Sequence, residues 1–147
     1  MRNSSGFDEN DLIYATTATL PGKSITNVTA PYMGLNFNVP GVVQYDGSDS
    51  YTIQFRSDES YDLRNKFLQA INDTFDDSDS TGNYFMPTEE AVLDMVLLDK
   101  ELNRVDQYQL VGIYPKSVSA PSYDATTTGE IVTFDATIAY HYFRKTS

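Results

Sequence analysis

The stretch IVTFDATIAYHYFRK, Ile131–Lys145, decides how the chain is read. Every second residue from Val132 gives Phe134, Ala136, Ile138, Tyr140 and Tyr142, an almost unbroken apolar row. The intervening row, Ile131, Thr133, Asp135, Thr137, Ala139 and His141, is mostly small or polar. Alternation with period two marks a β-strand that has one buried and one wet face. The expectation is a single long strand whose apolar row enters the core.

Working outward, further strand candidates precede it. Leu12 to Leu20 stops at the turn signal Pro21-Gly22. Ser24 to Thr29 and Tyr32 to Val39 follow, the second with Tyr32, Gly34, Asn36 and Asn38 set against Met33, Leu35, Phe37 and Val39. After Pro40-Gly41 and the turn at Gly47–Ser50, Tyr51, Ile53 and Phe55 face one way, and Thr52, Gln54 and Arg56 the other. Ala91 to Asp99 and Tyr108 to Tyr114 read as a hairpin-like pair. One helix is expected from about Asp58, capped by Ser57 or Asp58, with acidic residues at its positive end. Leu63, Phe67 and Ile71 recur every fourth residue, an apolar stripe suited to packing on a sheet. The fold class is mainly β, an antiparallel barrel or sandwich with one flanking helix. Its expected core holds Phe55, Leu63, Phe67, Ile71, Phe134, Ile138 and Tyr140.

The 147 residues suit one domain, residues 12–147, behind a polar and flexible segment 1–11. Eleven Tyr and eight Phe without Trp favour pleated surfaces, where aromatic side chains pack well. The chain has no cysteine, so disulfides and thiolate metal sites are excluded. Net charge is −11, a field that opposes gripping phosphate or anionic lipid. No apolar run approaches the roughly 18 residues that cross a bilayer. The opening MRNSSGFDENDL is not a secretory signal, because a basic start followed by an apolar run is missing.

Motifs that carry chemistry fail on spacing. Asp77-Ser78-Asp79-Ser80-Thr81-Gly82 resembles the start of a calcium loop, but Thr88 stands where the bidentate Glu belongs. Gly22-Lys23-Ser24 lacks the first glycine of a phosphate loop, since that position is Thr17. His141 is the only histidine and reads as a surface residue, with no nucleophile elbow to serve. Glu89-Glu90 and Asp58-Glu59 are neighbours in sequence, which do not face one gap as an acid–base pair must. The expectation is no catalytic residue, no metal and no cofactor.

Segments in order resemble the tail tube proteins of T4-like contractile phages. Thr17-Ala18-Thr19-Leu20-Pro21-Gly22 with Ile25 looks like their "TALPG…I" segment. Asp58-Glu59 with Leu63-Arg64-Asn65-Lys66-Phe67 is similar to their "ND…ARQKF" helix. Leu110–Val118 resembles their "GLWPTNVG" turn, and Glu130–Tyr142 their closing "IQTFEVTLALDYW". The family carries a further strand before the first segment, where this chain has its polar first eleven residues. The resemblance, from about Ala15 to Phe143, implies a non-enzymatic virion protein, related to the tube protein of type VI secretion.

In that family six copies form a ring, rings stack into a tube, and genomic DNA slides through the bore without specific binding. The implied partners are other copies, a sheath protein, a baseplate tube initiator and a tail terminator, with no membrane. The implied location is the virion tail, assembled in the host cytoplasm. Thr52, Gln54, Thr133, Asp135 and Thr137 are expected to line the bore. Asp77, Asp79, Gly82, Tyr32 and Phe37 are expected on surfaces where rings stack, with Tyr32 to Tyr45 as a hairpin reaching the next ring. Alternatives are a baseplate tube initiator of the same fold, or the tube of a contractile injection or type VI apparatus.

Overall fold

The computed structural model describes residues 15–57, 60–82, 86–87, 89–121 and 131–146. In chain order the elements are β1 (Ala15–Thr17), β2 (Ser24–Tyr32), β3 (Leu35–Gln44), β4 (Tyr51–Arg56), α1 (Asp62–Thr74) and β5 (Phe75–Asp76). They continue with β6 (Thr81–Gly82), β7 (Val92–Leu98), β8 (Arg104–Val111), β9 (Tyr114–Val118), β10 (Thr133–Ala139) and β11 (Tyr142–Thr146). The first eleven residues, Leu12–Tyr14, Asp58, Glu59 and residues 122–130 lie outside the described residues.

One sheet has the order β1-β4-β10-β9 and another β11-β8-β7, with every pairing antiparallel. Neither closes on itself, so of the two expected architectures the sandwich-like one is found. The expected closing strand is divided. Residues 133–139 belong to the four-stranded sheet, and residues 142–146 to the three-stranded one. Tyr108 to Tyr114 divides in the same way, because β8 ends at Val111 and β9 begins at Tyr114 in the other sheet.

The two breaks lie side by side. β9 pairs with β10 and β8 with β11, so a single two-stranded ribbon bends once and serves both sheets. Such bends are how sandwiches make corners. Gly112 occupies the bend at φ 71°, and a Cβ there would stand 2.1 Å from His141 Cδ2. The His141 amide donates to the Val111 carbonyl at 3.0 Å, and both Gly112 and Ile113 amides donate to Ala91. Only glycine accepts this backbone angle and this closeness together. His141 is an exposed side chain, and its ring covers the corner.

Inside, the alternation holds. Tyr51, Ile53 and Phe55 of β4 and Phe134, Ala136 and Ile138 of β10 are buried, joined by Tyr140 and by Leu93, Leu110 and Ile113. Phe67 of α1 reaches Phe55 (5.4 Å between ring centroids) and Phe134 (6.4 Å), and Phe55 and Phe134 stack at 5.7 Å. Leu63 is buried beside them, while Ile71 is only half-buried because it sits in the last turns of the helix. The expected Ser57 or Asp58 cap is corrected. Tyr61 is the N-cap, in a left-handed conformation and without a side-chain capping bond, and the Ser57 amide instead donates to Val132.

Candidate assembly surface

β2 and β3 pair with each other and with neither sheet. The turn is Met33-Gly34, at φ 48° and 78°, the positive pair that a two-residue type I′ hairpin needs. The hairpin therefore runs from Ser24 to Gln44, longer than the expected Tyr32–Tyr45. The register Tyr32↔Leu35, Ala30↔Phe37 and Val28↔Val39 moves Tyr32 to the apolar row, correcting its expected place beside Asn36 and Asn38. Directly opposed residues share a face, so Val28, Ala30, Tyr32, Leu35, Phe37 and Val39 form one apolar surface. Asn27, Thr29, Pro31, Asn36, Asn38 and Pro40 form the other. Proline in both arms fits strands without outer neighbours, where its missing N–H is not needed.

The apolar face is open to solvent. Phe37 is 50% exposed, Leu35 62% and Tyr32 65%. From Ser24 to Tyr45 the chain carries no charged residue. Natural edges are normally guarded by charge, and this one is not. Nearer its base the ribbon bulges between Ile25 and Asn27, where the Thr26 hydroxyl donates to the Val42 carbonyl at 3.1 Å and accepts from the Val42 amide at 2.9 Å. Gly41 lies against this bulge; a Cβ there would sit 2.9 Å from the Thr26 carbonyl. The base is held by the Asp46 amide on the Gly22 carbonyl (3.1 Å), Ser24 Oγ on Asp46 (2.8 Å) and Tyr45 against Phe143 (5.4 Å).

The residues expected to line a bore do gather on one surface. Register places Thr52 opposite Thr137, Gln54 opposite Asp135 and Arg56 opposite Thr133, all on the outer face of the four-stranded sheet. Thr52 and Thr137 hydroxyls are 3.2 Å apart, and the Thr16 hydroxyl donates to Gln54. The face is hydroxyl- and amide-rich, with one carboxylate and one guanidinium in these rows.

Asp77 and Asp79 lie in the four-residue turn of a two-rung hairpin, in which Phe75 pairs with Gly82 and Asp76 with Thr81. Asp73, just before this hairpin, is still helical. The Ser78 hydroxyl and amide both donate to Asp76, at 2.6 and 2.8 Å, and hold its carboxyl below the usual range. An open groove of about 440 Å³ beside it is lined by Gln69, Asn72, Asp73, Asp76, Thr81 and Gly82. Among the described residues no group of three or more His, Asp or Glu is arranged to hold a metal.

No protein-family model and no curated protein sequence matches the chain. Solved structures do. A chain of the anti-feeding prophage baseplate superposes with TM-score 0.63 at 14% identity, over 88% of this chain and 78% of that one. A chain of the anti-feeding prophage tube-terminating cap gives 0.63 at 15%, over 90% and 81%. One from the sheath–tube complex of the extracellular contractile injection system PVC gives 0.55 at 16%, over 90% and 82%. The chain shares its fold with components of contractile injection particles. At 14–16% identity the likeness is one of fold.

Sequence reasoning missed the β2 half of the apolar face, Val28 and Ala30. The signal was present: the alternation of Val28, Ala30 and Tyr32 matches Leu35, Phe37 and Val39 once Met33-Gly34 is taken as the turn.

Proposed function

We propose that this chain is a structural, non-enzymatic subunit of the tube of a contractile tail or injection particle, assembling into stacked rings around a hollow axis. The observation that supports this most is the β2–β3 hairpin, whose apolar face no described part of the chain covers. A contiguous apolar surface of that kind marks an interaction site. Around it, β1, β9, β7 and β11 are all sheet borders, which a ring completes by pairing each copy with the next. The fold likeness to injection-particle components supports the same reading.

In a ring, the hydroxyl-rich face of Thr52, Gln54, Thr133, Asp135 and Thr137 is our choice for the bore. Duplex DNA carries a charge every roughly 1.7 Å, and a basic bore would hold it, whereas a face with little positive charge lets a polyanion slide. Sheath, tube initiator and terminator would be the neighbours of the finished tube. A second reading, a baseplate or cap subunit of the same fold, draws on the higher TM-scores to those two structures. Copy number per particle separates the two.

Electron microscopy of negatively stained, concentrated protein tests the main reading, with sedimentation alongside. Rings or hollow rods are expected; a strict monomer at every concentration and salt would overturn it.

A further inference from the structure

The hairpin needs a surface to land on, and the structure offers one. At the far end of β7 and β8, Val96, Leu98, Leu102 and Val105 are all exposed, between 47% and 77%. Val96 and Leu98 are two apart on β7 and share a face. Val105 is the extra residue of a bulge where the register shifts, Leu97 pairing with Asp106 and Leu98 with Arg104, and it stands 64% exposed beside that pair. Leu102 crowns the turn between the strands.

We infer that this patch is the receiving surface for the apolar hairpin face of a second copy; the inference rests on the assembly reading above and names the contact it uses. Three observations converge. The first is strain at both tips. Leu102 has φ 64° and Met33 has φ 48°, the left-handed region where turns ordinarily use Gly, Asn or Asp. The chain places two long apolar side chains there and leaves them 77% and 87% exposed. The Leu102 turn is firmly built: Asp99 accepts from the Glu101 and Asn103 amides, both at 2.8 Å, and its own amide donates to Asn103 at 2.9 Å. A rigid turn that holds leucine out in water is suited to a contact point.

The second is placement. The hairpin base meets β11 through Tyr45 and Phe143, whereas the patch is on β7, at the opposite border of the same sheet. Phe143 lies at the level of Leu110, so the patch is also about 20 Å along the strands from it. Donor and receiver on opposite borders give a head-to-tail contact, which repeats from copy to copy and does not close into a pair.

The third is charge. Each copy carries −11, so copies repel, and the uncharged Ser24–Tyr45 ribbon is the part that can approach another without like-charge cost. Lys100, Glu101 and Arg104 flank the patch and can remain hydrated at its rim.

The experiment uses the full chain, which has no native cysteine. Phe37→Cys with Leu98→Cys, treated with a bifunctional thiol reagent during assembly, should give a ladder of covalent multimers. Phe37→Cys with Thr52→Cys should not. Leu102→Asn, a residue the left-handed turn accepts more readily, should leave the melting temperature equal or higher. It should also raise the concentration needed for assembly about tenfold or more. If wild type assembles but the first pair gives no ladder, or Leu102→Asn assembles as wild type does, the receiving surface lies elsewhere and the subunit reading stands. If wild type does not assemble at all, both readings fall.

Discussion

The β4–β10 rows and the β2–β3 rows obey one rule and meet opposite fates. Both alternate apolar with polar, yet Phe134 is 2% exposed and Phe37 is 50% exposed. The difference is not in the strands. A helix and a second sheet cover Phe134, and nothing in the described chain covers Phe37. Alternation therefore states that a face will be buried, without stating by which molecule.

The sharpest way to break this comparison is to truncate one aromatic from each region. Phe67→Ala should lower stability by about 3–5 kcal/mol in chemical denaturation, since it empties the contact between Phe55 and Phe134. Phe37→Ala should change monomer stability by no more than about 0.5 kcal/mol while impairing assembly seen in sedimentation. A large stability loss from Phe37→Ala would mean that the monomer covers the hairpin after all.

Next is the corner that joins the sheets. Gly112→Ala forces a side chain into the left-handed region at a cost of about 1–2 kcal/mol, and the His141 ring must also move. A total near 2–3 kcal/mol is expected in thermal unfolding. Adding His141→Ala should recover part of it, and a double-mutant cycle measures that coupling. Simple additivity would show that the two residues do not meet.

A smaller effect is expected at Tyr51, whose hydroxyl donates to the Thr19 carbonyl and ties the segment after β1 to the core. Burial pushes its pKa from 10.0 up to about 12, with Tyr140 beside it adding to the rise. The folded state thus holds the phenolic proton more tightly than the unfolded one. Its stabilisation is complete below about pH 10 and is lost as pH rises toward 12. Tyr51→Phe should cost about 1 kcal/mol at neutral pH and flatten the alkaline limb of a stability–pH curve.

The smallest change is expected on the outer face of the three-stranded sheet. There Gln109 donates to Asp94 at 2.8 Å and accepts from Arg144 Nε at 2.7 Å, bridging all three strands. Gln109→Ala should cost under about 1 kcal/mol, because the groups it releases are solvated. A greater loss would place this face in a buried contact.

Much of the fold was legible in the residues. The spacing of Leu63 and Phe67, and the rows of β4 and β10, are read correctly because burial of one face imposes the period directly. The polar face follows from the same rows: once Phe134 and Ile138 point inward, Thr133, Asp135 and Thr137 point outward together. Two long strands were read where there are four, since Gly112 and His141 break neither alternation nor apolar content. The helix cap was misplaced because the N-cap position falls on Tyr61, which makes no side-chain capping bond.

By itself the sequence determined the apolar and polar rows, the helix stripe and the absence of charge from Ser24 to Tyr45, since these are properties of order and composition. Tertiary structure alone decided that one bent ribbon serves two sheets and that the hairpin stands apart from both. The reason is physical: burial is a relation between distant segments, so a local pattern can demand a cover but cannot say where the cover comes from.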